Sequence, residues 1–146
     1  MNSSSNMMGE TEIRKDGRIW YQGMCHCGSV KFEAAASLDL TLTECTCLIC
    51  FMSGHRELMV PDDRFQLHRG KESLREYRFA NCIADHTFCI ICGVRPFYKP
   101  RSHPVGFVSV NARCLDLSLA KSITIVEFDG KNWEESISSG KHILSE

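Results

Sequence analysis

The sequence lacks any long hydrophobic run, although 43% of its 146 residues are hydrophobic. Its apolar stretches extend over only a few residues, whereas a membrane-spanning helix needs about 20. The opening segment, MNSSSNMMGE, has neither the basic nor the apolar part of a secretory signal. We therefore expect no membrane partner and a location in the cytoplasm, with the nucleus as an additional compartment.

An excess of charge of one sign is also absent. The chain has 17 lysines and arginines against 18 aspartates and glutamates, which gives a formal net charge of −1. A surface that binds nucleic acid or anionic lipid is normally clearly basic. Nucleic acid is therefore not an expected partner, although the local basic group of Lys99 and Arg101 is suited to a small anion.

What the sequence has in abundance is cysteine, with nine residues. An odd number of cysteines, in a chain expected to stay in a reducing compartment, favours free thiols or metal ligands over a disulfide framework. Cysteines separated by one residue also fit a shared metal better than a disulfide, because disulfide geometry is narrowly limited. Metal binding is the leading interpretation, and disulfides are the alternative.

Short segments of alternating polarity predict a mainly β protein. In residues 29–36, Val30 and Phe32 share one face while Lys31 and Glu33 share the other. Turn residues separate these segments, which is typical of antiparallel strands. The predicted strands include residues 29–36, 41–45, 57–60, 65–68, 74–79, 107–110 and 123–128.

We expect one domain, residues 19–146, preceded by a disordered tail, residues 1–18. A chain of 146 residues is long enough to bury one hydrophobic core. Near the end of the chain, Trp133, Ile137 and Ile143 are spaced to share one face of a helix. A short C-terminal helix is therefore predicted within residues 131–144.

Two of the three cysteine clusters together predict a four-cysteine metal site. In CIICG, residues 89–93, two residues separate the cysteines and a glycine follows, so both sulfurs can turn toward one ion. Cys25 and Cys27 are two positions apart, which places both sulfurs on one face of an extended segment. The site would join distant parts of the chain, and a metal-binding free energy of order 10 kcal/mol can offset that loop closure. Its ligands are Cys25, Cys27, Cys89 and Cys92.

The remaining cluster, CTCLIC at residues 45–50, leaves one ligand position to be explained. Cys45, Cys47 and Cys50 supply three ligands. Three protein ligands plus a water or substrate form the catalytic type of zinc site, whereas four form the structural type. None of the candidates for a fourth ligand belongs to a ligand-like pair, which favours an open site. These candidates are Cys82, Cys114, His26, His55, His86 and His103.

Three motifs, in this order, resemble the glutathione-dependent formaldehyde-activating enzyme superfamily. They are GMCHCGSVKF at residues 23–32, CTCLIC at residues 45–50 and FCIICG at residues 88–93. The resemblance extends over residues 23–129. The later segment CGVRPFYKPRS, residues 92–102, is most similar to the centromere protein V-like branch.

The resemblance implies a zinc-stapled β fold called a β-tent, with two Zn²⁺ ions per chain. Structural zinc would bind Cys25, Cys27, Cys89 and Cys92, and a second, catalytic-type zinc would bind Cys45, Cys47 and Cys50. The implied enzyme is a carbon–sulfur lyase that condenses glutathione, or another thiol, with formaldehyde or a related small aldehyde. The alternative is a non-catalytic, centromere protein V-like interaction module associated with chromatin or microtubules. A homodimer is an open alternative to a monomer.

Polar residues outside the clusters are candidates for substrate binding. His55 closely follows the three-cysteine segment and could line it, or it could belong to a plain loop. The basic and aromatic group best suited to a glutathione carboxylate is Arg95, Tyr98, Lys99 and Arg101, with a solvated turn as the alternative. Asn111 and Arg113 could reach the same pocket. Many family members have basic residues where this chain has Phe51 and Met52, so the identity of the thiol is open.

Overall fold

The computed structural model of the protein describes residues 8–79, 85–100 and 105–132. Within these residues the chain forms eleven β-strands and one short α-helix, α1, Leu48–Ser53. The strands are β1 (Glu12–Ile13), β2 (Ile19–Met24), β3 (Lys31–Ala36), β4 (Asp39–Cys45), β5 (Glu57–Pro61), β6 (Phe65–Arg69), β7 (Leu74–Tyr77), β8 (Asp85–Cys89), β9 (Phe97–Lys99), β10 (Phe107–Asn111) and β11 (Ser122–Phe128). The predicted mainly β fold class is confirmed.

The strands form two sheets. One has four strands in the order β1-β2-β3-β6, and the other has seven in the order β11-β4-β5-β10-β9-β8-β7. Neighbouring strands are antiparallel, except that β11 runs parallel to β4. The parallel pair joins strands from opposite ends of the domain. No local turn signal could therefore have predicted it.

One hydrophobic core joins the two sheets. Tyr21 and Phe32 of the four-stranded sheet and Leu42 of the seven-stranded sheet are almost fully buried in it. The ring of Phe32 contacts those of Phe65 and Phe97, with ring centroids 5.7 Å apart in both cases. Each large apolar side chain contributes about 1.5–3 kcal/mol when buried. This packing fixes the positions of the strand ends, where the cysteines lie.

Sequence patterns missed five elements, which are β1, β2, β8, β9 and α1. β9 is a three-residue strand between Pro96 and Pro100, too short for an alternating pattern to register. The apolar residues of α1, among them Leu48, Phe51 and Met52, are mostly exposed, so no buried stripe marks this helix. None of the described helical segments is long and apolar enough to cross a membrane. The predicted C-terminal helix lies outside the described residues.

Residues 8–18 of the predicted N-terminal tail are described, and part of them joins the four-stranded sheet. β1 pairs with the start of β2, and the Arg14 guanidinium donates two hydrogen bonds to the Glu33 carboxylate, at 2.6 and 2.7 Å. Burial alone would raise the pKa of Glu33, but hydrogen bonds from Arg14, Gln22 and His68 lower it to about 2. The division of the chain at residue 18 stays a prediction.

Candidate metal centres

The first candidate metal centre brings together Cys25, Cys27, Cys89 and Cys92, whose sulfur atoms lie within 4.8 Å of one another. The Sγ atoms of Cys25 and Cys27 are 3.6 Å apart, and those of Cys27 and Cys89 are 3.7 Å apart. A disulfide would need about 2.05 Å. Four sulfurs placed tetrahedrally around an ion at about 2.3 Å, the zinc–sulfur distance, are about 3.8 Å apart. The spacing therefore fits one shared ion of that size.

Backbone turns hold these sulfurs in position. Cys25 follows β2, and the Val30 amide donates to its sulfur at 3.4 Å. Cys89 ends β8, and the Ile91 amide donates to its sulfur at 3.4 Å. Gly93 has a φ of 77°, the left-handed backbone that this turn needs and that favours glycine. Amide donors stabilise the negatively charged thiolate, which is the form that binds metal.

Cys114 lies beside the first centre. Its thiol is buried, and burial, with a smaller contribution from Cys92, raises its pKa to about 12. It does not join Cys45, Cys47 and Cys50, the group it was a candidate to complete. Cys114 therefore behaves as a neutral core thiol in this structure.

The second candidate metal centre contains Cys45, Cys47 and Cys50, with their sulfurs also within 4.8 Å of one another. Cys45 ends β4, Cys47 immediately precedes α1, and Cys50 lies within α1 and is 4% exposed. In the part of the chain that the structure describes, no other histidine, cysteine, aspartate or glutamate joins this group. Two candidates for a fourth ligand, Cys82 and His103, lie outside that part.

The end of β11 packs closely against the second centre. Phe128 is in register with Cys45, and the carbonyl oxygen of Phe128 accepts a hydrogen bond from the Thr46 amide at 3.0 Å. A Cβ atom added to Gly130 would lie 2.2 Å from the Cys45 sulfur. The contact of Gly130 with the cysteines depends on the parallel β4–β11 pairing.

A row of polar side chains lies on the other side of Cys50. Tyr98 of β9 is in register with His86 of β8 and with Ser109 of β10, and paired residues of a sheet point to the same face. The Tyr98 hydroxyl is 3.9 Å from the Cys50 sulfur. The rings of His55 and His86 contact the Tyr98 ring, with centroids 4.9 and 4.4 Å away. Ser109 was not predicted, because only the strand register reveals its position.

A hydrogen-bonded chain orients His55. Nε2 of His55 is 2.9 Å from the Ser109 hydroxyl, and this hydroxyl donates to the Glu57 carboxylate at 2.6 Å. All three side chains are buried. Burial lowers the pKa of His55 to about 4, so its ring is neutral at pH 7. A neutral imidazole keeps one nitrogen as an acceptor.

Arg95 and His86 form a second oriented pair. A terminal nitrogen of Arg95 donates to Nδ1 of His86. Burial, followed by the neighbouring Arg95 charge, lowers the pKa of His86 to about 4. Burial also lowers the pKa of Arg95, but the charges of Cys50, Tyr98 and Cys47 oppose this shift. The guanidinium is therefore a partly buried cation within the electrostatic reach of the second centre.

The remaining predicted substrate residues either bind other protein groups, are exposed or lie outside the described residues. Lys99 donates to the Asp62 carboxylate at 2.7 Å. The Asn111 side chain donates to the Arg95 carbonyl at 3.0 Å and accepts from the Arg113 amide at 3.1 Å. Arg113 is exposed, and Arg101 lies outside the described residues. His55, Arg95 and Tyr98 are thus the predicted residues that gather around the second centre.

Comparison with known proteins places the chain in a family. A model of the family described as glutathione-dependent formaldehyde-activating enzyme matches residues 20–133, which contain both cysteine groups. The chain therefore belongs to the glutathione-dependent formaldehyde-activating enzyme family. A crystal structure of a Rhodobacter sphaeroides protein is similar, with 27% sequence identity and a TM-score of 0.58. The match covers 72% of this chain and 99% of that protein.

Proposed function

We propose that this chain is a zinc-dependent enzyme of the carbon–sulfur lyase type. It joins glutathione, or another thiol, to formaldehyde or a related small aldehyde and so forms an S-hydroxymethyl adduct; the reverse reaction cleaves the carbon–sulfur bond. One observation carries the proposal. Among the described residues, the first centre groups four sulfurs, whereas the second groups three, and three ligands are the number that leaves a position for substrate.

The proposed cofactor is two Zn²⁺ ions per chain. Thiolates select soft ions such as zinc, and the 3.6 and 3.7 Å sulfur separations in the first centre suit its bond length. Cys25, Cys27, Cys89 and Cys92 would hold the structural ion, and Cys45, Cys47 and Cys50 the catalytic one. When bound at the second centre, zinc would supply a Lewis acid that keeps a substrate thiol in its nucleophilic thiolate form.

The residues around the second centre would position the reactants. On one side of the second centre, four residues are buried, namely Cys50, His55, Glu57 and Ser109. These residues would shield the reacting atoms from bulk water on that side. On the solvent side, directly after Cys50 in the sequence, the side chains of Phe51 and Met52 are 77% and 76% exposed. These two side chains would contact the body of the thiol. An apolar lip favours a thiol less charged than glutathione, which is why the identity of the thiol needs its own measurement.

The direct test follows exchange between glutathione, formaldehyde and the S-hydroxymethyl adduct by NMR line shape. We expect the wild-type protein, with both ions bound, to accelerate exchange over buffer. Cys47→Ala should abolish the acceleration while leaving the first centre loaded. Other thiols, tested in the same way, rank the substrates. An absence of acceleration for every thiol would refute the proposed activity.

In the alternative function, a non-catalytic module of the centromere protein V-like branch, the second centre would be a structural relic or would be closed by a fourth ligand. In the closed case, Cys82 or His103 would supply that ligand. Metal content of Cys82→Ser and His103→Ala distinguishes a closed centre from an open one. An open centre retains two ions per chain in both variants, whereas loss of one ion in either variant would establish closure. A cytoplasmic location and a homodimer stay predictions that these measurements do not address.

A further inference from the structure

Beside the second centre, two buried polar atoms have no hydrogen-bond partner within the residues that the structure describes. They are Nδ1 of His55 and Nε of Arg95. An unsatisfied buried polar group costs about 1–3 kcal/mol. Nearly all such groups in folded proteins are satisfied by protein, water or ligand. Both atoms are therefore expected to meet an occupant of the site.

The hydrogen-bonded chain makes Nδ1 of His55 an acceptor. Ser109 has a single hydroxyl hydrogen, which it donates to Glu57. The Ser109 oxygen can then only accept a hydrogen bond from His55, so Nε2 of His55 has the proton. In a neutral ring the other nitrogen, Nδ1, keeps a free lone pair.

Arg95 provides the complementary donor. A guanidinium has only N–H donors, and a terminal nitrogen of Arg95 already donates to His86. The Nε–H group is buried and finds no acceptor in residues 8–79, 85–100 or 105–132. Among the ion pairs of the described residues, none includes Arg95. Its charge is therefore available to an anion or a polarised oxygen.

His55 and the partner of Arg95, His86, both contact Tyr98, whose hydroxyl is near the second centre. The ring of Tyr98 contacts His55 on one side and His86, the partner of Arg95, on another. The Tyr98 hydroxyl is 3.9 Å from the Cys50 sulfur. His55 and the Arg95–His86 pair thus surround the tyrosine whose hydroxyl reaches the second centre.

On the basis of the proposed function, we propose that His55 and Arg95 bind the oxygen atom of the aldehyde. Arg95 Nε–H donates to this oxygen, and His55 Nδ1 accepts the hydrogen of the hydroxyl that forms. A hydroxymethyl oxygen meets both needs, because it has one hydrogen and two lone pairs. Water meets the same needs in the free protein, and the substrate oxygen replaces it.

The addition step explains why this arrangement would accelerate the reaction. The thiol loses its proton to water, its sulfur bonds to the carbonyl carbon, and the π electron pair of the carbonyl moves to the oxygen. The oxygen then takes a proton from water, which balances the reaction. Negative charge develops on the oxygen during the step, and a fixed cationic donor stabilises it more than it stabilises the starting carbonyl.

Arg95→Met tests the donor, because it keeps the unbranched stem as far as the Nε position and removes every N–H group. We expect kcat/KM for formaldehyde to fall about 100-fold, the effect of removing one oxyanion donor. The affinity for thiol alone, read from the absorbance of the cobalt-substituted protein, should stay unchanged. Arg75→Met is the matched control, because Arg75 is exposed and donates to backbone carbonyls of residues 72 and 74. A selective loss of thiol affinity in Arg95→Met would assign Arg95 to a carboxylate of the thiol and overturn the proposal.

Two substitutions separate the nitrogens of His55. In His55→Gln, the amide nitrogen can replace Nε2 as the donor to Ser109, but no acceptor replaces Nδ1. In His55→Asn, the amide oxygen can replace the Nδ1 acceptor, but the shorter side chain loses the hydrogen bond to Ser109. We expect His55→Gln to lose more of the formaldehyde kcat/KM than His55→Asn, with both ions retained in each. Nitrogen NMR of the wild type, without substrate, should find the His55 proton on Nε2. A proton on Nδ1 would refute the acceptor role.

Two failures are distinguishable. If the fully loaded wild type accelerates no adduct formation, the proposed function and the oxygen subsite fail together. If the wild type is active but Arg95→Met and His55→Gln keep its dependence on formaldehyde, only the oxygen subsite is refuted. Melting temperatures of the variants identify any loss that comes from unfolding.

Discussion

The two cysteine centres differ in what they connect. The first joins the end of β2 to the end of β8, two strands that belong to different sheets. The second takes all three cysteines from residues 45–50, where β4 passes into α1. A metal ion in the first centre closes a long loop of the chain, whereas a metal ion in the second closes only a very short one. Their expected contributions to stability differ accordingly.

The surroundings of the two centres also favour a structural role for the first and a catalytic role for the second. Backbone amides and core side chains surround the first, which suits a structural role. The second has Tyr98, His55 and Arg95 on one side and Gly130 on the other. The comparison suggests that one centre maintains the fold so that the other can present an open coordination position. Substitutions that affect one centre at a time can test this division.

The largest effect is expected from Cys89→Ser. Zinc binding to structural sites provides about 10–16 kcal/mol, which exceeds or equals the whole stability of a typical domain, about 5–15 kcal/mol. We expect the variant to lose both ions and to lack a cooperative thermal transition by circular dichroism. A folded variant with one ion would show that the first centre is not needed for the fold.

Cys47→Ser should abolish activity but have a smaller effect on the fold than Cys89→Ser. It removes a ligand from a centre whose cysteines are close in sequence. Because metal binding there closes only a short loop, its loss should change the conformational entropy of the unfolded chain very little. We expect two ions per chain to become one, with a cooperative melting transition retained. Mass spectrometry under native conditions counts the ions. Unfolding of this variant would remove the proposed distinction between the centres.

Gly130→Ala should weaken the second centre selectively. The new Cβ would lie 2.2 Å from the Cys45 sulfur and 2.9 Å from the Cys47 Cβ, so either β11 or the cysteines must move. We expect metal affinity at the second centre to fall by about 10- to 100-fold, as for changes that disturb ligand positioning. Competition with a chromophoric chelator measures this affinity.

Gly23→Ala is the matched control for a clash elsewhere. Its Cβ would lie 2.6 Å from the Phe32 ring, so overpacking should cost about 1–3 kcal/mol of stability. Both ions should be retained. Equal loss of the second ion in the two glycine variants would indicate a general effect of destabilisation and not a local one.

The smallest effect is expected from Phe51→Ala. Because Phe51 is 77% exposed, the free energy of unfolding should change by no more than about 0.5 kcal/mol. Both ions should stay bound. The KM for the thiol alone should change, since the side chain lies at the lip of the second centre. An unchanged KM for every active thiol would place the thiol on another side of the centre.

Local patterns in the sequence predicted the cysteine groups and the mainly β fold well. The spacing of Cys89 and Cys92, followed by Gly93, encodes a turn whose geometry needs no information from the rest of the chain. Alternation in residues 29–36 likewise predicted β3, because the side-chain period of a strand is a local property. The missed elements, β1, β2, β8, β9 and α1, are short or lack a clear polarity pattern.

Local spacing shows which cysteines can share an ion, since ligand spacing over a few residues is set by backbone geometry. It did not determine what lies beside the three-cysteine centre. Tyr98, Ser109 and His86 meet there through the register of β8, β9 and β10, and Gly130 through the parallel pairing of β11 with β4. Strand register depends on hydrogen bonds and core packing between distant segments. Only the tertiary structure could therefore place the acceptor of His55 and the donor of Arg95 around one tyrosine.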